Sequence, residues 1–184
     1  MTRLPTEIAR LYGASPGDGG TRALVLELAR PAEWPPMARL WQGVQADLGW
    51  PAPAIAVNGV DGYQLWFSLA EPLPPAEATS LLGRLCQRHL GDIAPERLRL
   101  IAGNPTPTPR QVAADAWSAF VTSDLAAVFA DTPWLDLPPG EDAQAELLGR
   151  LSPIAAQDLC AALQATDATP VVTTAPAPRA SDNE

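Results

Sequence analysis

At 184 residues, 47% of them hydrophobic, the chain suits one domain with extensions and can bury a substantial core. Its net charge of −9 is unevenly placed: residues 1–110 hold ten Arg against ten Asp and Glu, whereas residues 111–184 hold two Arg against eleven acids. The acidic C-terminal part argues against strong non-specific binding to nucleic acid and leaves room for a small basic patch. There is no Lys anywhere, which excludes Schiff-base chemistry and the lysine of a phosphate-binding P-loop.

The predicted elements begin with a short helix, Thr6 to Tyr12, and a flexible "GASPGDGG". "TRALVLELA" alternates as a strand, with Leu24, Leu26 and Leu28 on one face and Ala23, Val25, Glu27 and Ala29 on the other. "PPMARLWQGVQADLG" has prolines at a helix start and Met37, Leu40, Trp41, Val44 and Leu48 at helical spacing. "PAIAVNG" and "YQLWFSL" are two strands of a hairpin, with Asp61-Gly62 predicted to supply the positive backbone angles of a tight turn. A second proline-led helix, "PPAEATSLLGRLCQRHL", turns Ala78, Leu81, Leu82, Leu85 and Leu90 inward. "ERLRLIAG" closes the series as a strand, Leu98 and Leu100 inward, Arg97 and Arg99 outward.

Strand, helix, strand, strand, helix, strand is the βαββαβ order of an α+β, ferredoxin-like or RRM-like sandwich. Two helices cover one face of a four-stranded antiparallel sheet, the first and third strands are central, the fourth lies beside the first, and the other face is left open. After the proline-rich "NPTPTPRQ", "WSAFVTSDLAAVFADTPWLDLPPG", residues 117–140, is expected to form a strand or loop and a short helix capped by Ser123 or Asp124, with Trp117, Phe120, Phe129 and Trp134 available for docking. Helices are predicted at Glu141 to Leu151 and Pro153 to Gln164. The domain plan is therefore 1–21 as helix and loop, 22–104 as the core, 105–165 as linker and helical extension packing on it, and 166–184 as a disordered tail.

No apolar run approaches the roughly 18 residues that span a membrane, and "MTRLPTEIARLYG" lacks the apolar centre of a secretion signal, so a cytoplasmic protein with no membrane partner is expected. Cys86 and Cys160 sit on apolar helix faces and are both expected in the core. His89 is the sole histidine, which removes His-based metal sites. It is placed near a helix end, where it would meet the terminal carbonyls.

On the face predicted to be open, the alternation places Arg97 and Arg99, then Val25 and Glu27, then Gln64, Trp66 and Ser68, with Asn58 at the edge. RNA-binding modules of this topology stack bases on strand aromatics and follow phosphates with Arg. Trp66, Gln64, Arg97, Arg99, Glu27 and Asn58 are thus the candidate contacts to a single-stranded nucleic acid or a nucleotide. The ordinary alternative is that the C-terminal segment covers this face, burying Trp66 and pairing Glu27 with an Arg.

"LVLELA", followed after a helix and a short strand by "VNGVDGYQLWFSLAEPLPPAEATSLLGRL", resembles the core of the archaeo-eukaryotic primase superfamily over residues 22–101, most specifically over Asn58 to Pro72. The resemblance implies an RRM-like core. It also implies an acidic pair for two metals on the first strand and a Ser-Gly-x-Gly-x-His motif entering the hairpin strand. This chain departs from that pattern. Glu27 matches one acid but Ala29 stands at the other, Asn58 matches the Ser, Gly59 and approximately Gly62 the glycines, and Gln64 stands where the family has its His. One carboxylate does not hold two catalytic metals, and a neutral amide carries no charge to a phosphate. The expectation is a non-catalytic, primase-like module with no cofactor, not an enzyme, contacting nucleic acid or nucleotide through the open face. The alternative is a protein-interaction or structural module with a protein partner and a covered face.

Overall fold

The computed structural model describes residues 3–14, 17 and 19–167. Its elements are α1 (Arg3–Tyr12), β1 (Thr21–Leu28), α2 (Trp34–Leu48), β2 (Ala54–Val57), β3 (Tyr63–Leu73), α3 (Pro75–His89), β4 (Leu98–Ala102), β5 (Arg110–Ala113), β6 (Ala116–Val121), α4 (Glu141–Gly149) and α5 (Ala156–Asp167), with single 3-10 turns at Pro95–Arg97 and Ala126–Phe129. The tail expected from residue 166 falls, beyond Asp167, outside the described residues, as do residues 15, 16 and 18 of the glycine-rich stretch. No helix among the described residues is long and apolar enough to cross a membrane.

The fold is α+β with one antiparallel sheet in the order β4-β1-β3-β2-β6-β5. β1 and β3 are interior and β4 lies beside β1, as expected from the βαββαβ order. The sheet has six strands rather than the expected four. β2 is not an edge, because Ile55, Ala56 and Val57 pair with Val121, Phe120 and Ala119 of β6. The proline-rich residues that looked like a boundary carry the chain from one edge strand to the other. Pro105, Pro107 and Pro109 punctuate this segment, which bends at Gly103 and Asn104, where φ is 87° and 45°, and again at Thr108 and Pro109. We call it the strap.

One face of the sheet packs Leu24, Leu26, Leu28, Leu65 and Phe67 against Met37, Leu40 and Val44 of α2 and Leu81, Leu82 and Leu85 of α3, with Leu159 and Ala162 of α5 joining them. The other face is not open. Leu4 and Leu11 of α1 and Ala145 and Leu148 of α4 close over Val25, Ala54, Ala56, Trp66 and Phe120. Two polar ties fix this cover. The Gln144 side-chain amide pairs with both backbone groups of Phe120, donating to its O at 2.9 Å and accepting from its N at 2.8 Å, while Arg10 donates to the Leu148 and Leu151 carbonyls at 2.9 and 3.0 Å. Buried Gln144 thereby acts as a short extra piece of ladder between α4 and β6.

The β2–β3 connection differs from the predicted two-residue turn. The positive φ belongs to Gly59, at 81°, and the loop is shaped by Asn58, whose Oδ1 accepts from the backbone N–H groups of Val60, Asp61 and Gly62 at 2.9, 2.9 and 3.0 Å. Gly62 is needed for space instead, since a Cβ there would run into the Leu28 carbonyl. Cys160 is also exposed, not core: α5 turns Leu159 and Ala162 inward, and Cys160 lies off that stripe. Gly62→Ala is expected to lower stability by about 1–3 kcal/mol in urea unfolding, because rigid backbone must move. Gly83→Ala, in α3 with no atom near its Cβ position, is expected to raise it by about 0.5–1 kcal/mol.

Candidate functional site

Strand register assembles the site. Glu27 lies between Gln64 of β3 and Arg99 of β4, and Gln64 faces Ala56, which in turn faces Phe120. One step along, Ile101, Val25, Trp66 and Ala54 form the next row. The far face therefore carries a row that begins Arg99, Glu27, Gln64, set directly beside an apolar row centred on Trp66.

A chain of side-chain hydrogen bonds crosses from one row to the other. The Trp66 indole Nε1 donates to Gln64 Oε1 at 2.9 Å, Gln64 Nε2 donates to Glu27 Oε2 at 2.6 Å, and Arg99 Nη1 donates to Glu27 Oε1 at 3.3 Å. Glu27 is 5% exposed while the Arg99 side chain is 69% exposed, so a buried anion is matched by a cation standing in water. The Gln64 amide orientation follows from these partners, because only one way round satisfies both the indole N–H and the carboxylate.

Glu27, Gln64 and Arg99 line a hollow of about 190 Å³ with Asn58, Asp61, Thr106, Thr108, Arg110 and Ser118. Four of the six predicted site residues, Glu27, Asn58, Gln64 and Arg99, are thus brought together. Trp66 is joined to them only through its N–H. Its ring is 4% exposed and lies between the edges of Tyr12, at 5.2 Å and 65°, and Phe120, at 5.5 Å and 73°. It borders a second hollow of about 530 Å³ on the other side of the strap, with Pro105 and Pro107. Burial raises the Tyr12 pKa, so its phenol stays neutral. Arg97 is not part of the site. It sits in the turn before β4, and its Nη2 donates to the Pro31 carbonyl at 2.7 Å and to Glu33 Oε2 at 2.9 Å, tying it to the start of α2.

Arg110 and Asp61 were not anticipated. Arg110 had been placed at the end of a linker, and its membership depends on β5 pairing with β6, where Arg110 faces Ser118. The strand signal there is four residues long and stands directly behind three prolines. Asp61 reaches the hollow because the Asn58-centred loop is longer than a two-residue turn. It supplies a second carboxylate beside Glu27, from the hairpin rather than from position 29, and in the company of two guanidiniums.

Elsewhere, burial pushes the Cys86 thiol up to about 11, which leaves it protonated and inert as a nucleophile. His89 does not cap its helix through the ring: Nε2 is buried without a hydrogen-bond partner and the imidazole rests against Gly43, whose Cβ position it fills. Burial first, and then Arg88, lowers its pKa, against the opposing pull of Asp47.

Protein-family models and curated protein sequences were both scanned, and neither set contains a match to this chain.

Two outcomes follow from the site and its surroundings. Gln64→Leu removes both partners of the amide and strands the indole N–H and one carboxylate oxygen of Glu27, so unfolding free energy should fall by about 2 kcal/mol or more in urea titration. The His89 pKa is lower in the folded chain than in the unfolded one, so its contribution is complete above about pH 6.5 and declines as pH falls through that value, where only the unfolded chain takes up the proton. Thermal melts of the wild type between pH 7.5 and 5 should show this decline, and His89→Gln should flatten it in that window, well above the carboxylate range.

Proposed function

We propose that the chain is a non-catalytic, RRM-like module of primase-like descent whose sheet face serves its own packing, and that it acts as a protein-interaction or structural module. The inner strand order β4-β1-β3-β2, with α2 and α3 against one face, supports the RRM-like reading, with α1, α4, β5 and β6 as additions. The primase-like reading rests on Glu27, Asn58, Gly59 and Gln64 at their matched positions. Gln64 engages its amide oxygen with Trp66 and its nitrogen with Glu27, which suits a packing role better than phosphate contact.

The observation that carries the proposal is Trp66, 4% exposed and held between Tyr12 and Phe120. A strand-binding module leaves such a ring bare for bases to stack on. For a protein partner the hairpin end offers apolar side chains: Val60 of the loop, and Leu125 and Val128 at the turn anchored when Tyr63 donates its hydroxyl hydrogen to the Ala126 carbonyl. A nucleic-acid or nucleotide reading keeps one support, the exposed guanidiniums of Arg99 and Arg110 at the polar hollow.

Fluorescence polarisation of a labelled single-stranded oligonucleotide at low salt separates the two. We expect no binding, and Trp66 emission, obtained by subtracting the Trp66→Phe spectrum, should resist acrylamide quenching in the wild type and become quenchable in Leu148→Asp, which breaks the α4 cover. Salt-sensitive binding that is lost in Arg99→Glu would instead establish the nucleic-acid reading and overturn this one.

A further inference from the structure

We infer that the polar hollow between the hairpin and the strap is a binding site for a small zwitterion, a molecule of amino-acid size with an ammonium and a carboxylate. This inference differs from the interaction role of the whole module in its ligand and its probes, although Val60, offered above to a protein partner, also lines the hollow.

Volume sets the first limit. A hollow of about 190 Å³ holds roughly six waters. Sites for drug-sized ligands are generally about 300–1,000 Å³, so a ligand of amino-acid size suits the hollow better than a whole nucleotide. Charge sets the second. Glu27 and Asp61 are balanced by Arg99 and Arg110. A lone cation attracted by the carboxylates meets two guanidiniums, and a lone anion meets two carboxylates, whereas a ligand with both charges held apart satisfies both sets.

The strand order gives the arrangement a direction. Across the sheet the groups come from β4 (Arg99), β1 (Glu27), β3 (Gln64), the β2–β3 loop (Asp61) and finally β5 (Arg110), so carboxylates lie inside and guanidiniums at the two rims. Available valences agree with this. Glu27 accepts one hydrogen bond on each oxygen, from Gln64 and Arg99, and a carboxylate has about four acceptor positions, leaving capacity for an ammonium. Among the described residues Asp61 Oδ1 accepts only from the Asn58 amide. Among the described residues the Arg110 side chain has no ion partner and no hydrogen-bond acceptor, so its fork is available to a carboxylate. Thr106 and Thr108 supply hydroxyls from the strap.

The hydrogen-bond chain to Trp66 provides a local reporter, since a ligand on Glu27 perturbs Gln64 and, through it, the indole N–H. The experiment titrates the full chain, labelled with nitrogen-15, with glycine, serine and γ-aminobutyrate, and in parallel with acetate, methylammonium and inorganic phosphate. The Gln64 side-chain amide and Trp66 indole resonances are followed. At least one zwitterion should saturate these shifts at a concentration roughly tenfold or more below that needed for acetate or methylammonium, and Arg110→Ala should weaken it by a similar factor. Glu27→Gln should do the same if the variant remains folded. Arg110 is exposed, so its variant keeps the test open should Glu27→Gln unfold. Three results would each overturn the inference: no zwitterion moving these resonances, phosphate or acetate saturating as readily as the zwitterions, or zwitterion binding unchanged in Arg110→Ala.

Discussion

The far face of the sheet carries Val25, Ala54, Ala56, Trp66 and Phe120, and a surface of that composition does not persist in water. Much of the remaining architecture answers this constraint. α1 and α4 supply the apolar cover, and each needs a polar tie because two short helices bring little area. Gln144 binds α4 to the backbone of β6, and Arg10 binds α1 to the end of α4. β6 is itself required, since Phe120 completes the apolar patch and its strand gives α4 a ladder to join. Arg22 secures the entrance to β1, donating to the Leu69 and Arg10 carbonyls at 2.9 and 3.0 Å.

Cover stops where the chemistry changes. The row Arg99, Glu27, Gln64 cannot lie under an apolar helix without stranding a carboxylate, and the cost of an uncompensated buried charge exceeds what extra apolar area would return. The strap is the compromise at this border. It crosses the face between the two hollows, with Pro105 and Pro107 lining the Trp66 side, Thr106 the polar side and Thr108 both. One face of one sheet is thereby divided into an apolar half, covered by α1 and α4 with a hollow of its own beside the strap, and a polar half. The indole of Trp66 touches both, with its ring in one and its N–H directed to the other.

The alternation of β1 and β3 was sufficient to place Leu24, Leu26, Leu28, Leu65 and Phe67 on one face and Val25 and Trp66 on the other, and α2 and α3 followed from proline starts and helical spacing. That same alternation was silent on whether the second face is covered. Period two says which residues share a side, whereas cover depends on distant elements. Here these are α1, which read as a peripheral helix, and α4, whose inward residues include a glutamine. β5 and β6 were missed as sheet members because their pattern is short and follows a proline run that resembles a boundary. Glu27, Gln64, Asn58 and Arg99 were recoverable because register and period fix them locally. Arg97 was misplaced since the strand begins one residue later, at Leu98, and the turn before it points the guanidinium to Glu33.

The Trp66–Gln64–Glu27–Arg99 chain can be compared with what stability alone would ask. A sheet of this kind would be equally well served by apolar residues at 27, 64 and 66, because replacing a complete buried polar network by packed hydrocarbon is commonly neutral or favourable. Removing one member is costly, so the chain of four resists piecemeal loss. That explains its internal consistency without explaining its presence. Packing also gives no reason for Arg110, which reaches the same hollow from the opposite edge strand and has no partner there among the described residues. A network built only for stability would close on itself. This one ends in water at Arg99, and Arg110 stands at the same hollow outside the network, an arrangement that makes chemical sense when something small and charged lies between the two guanidiniums.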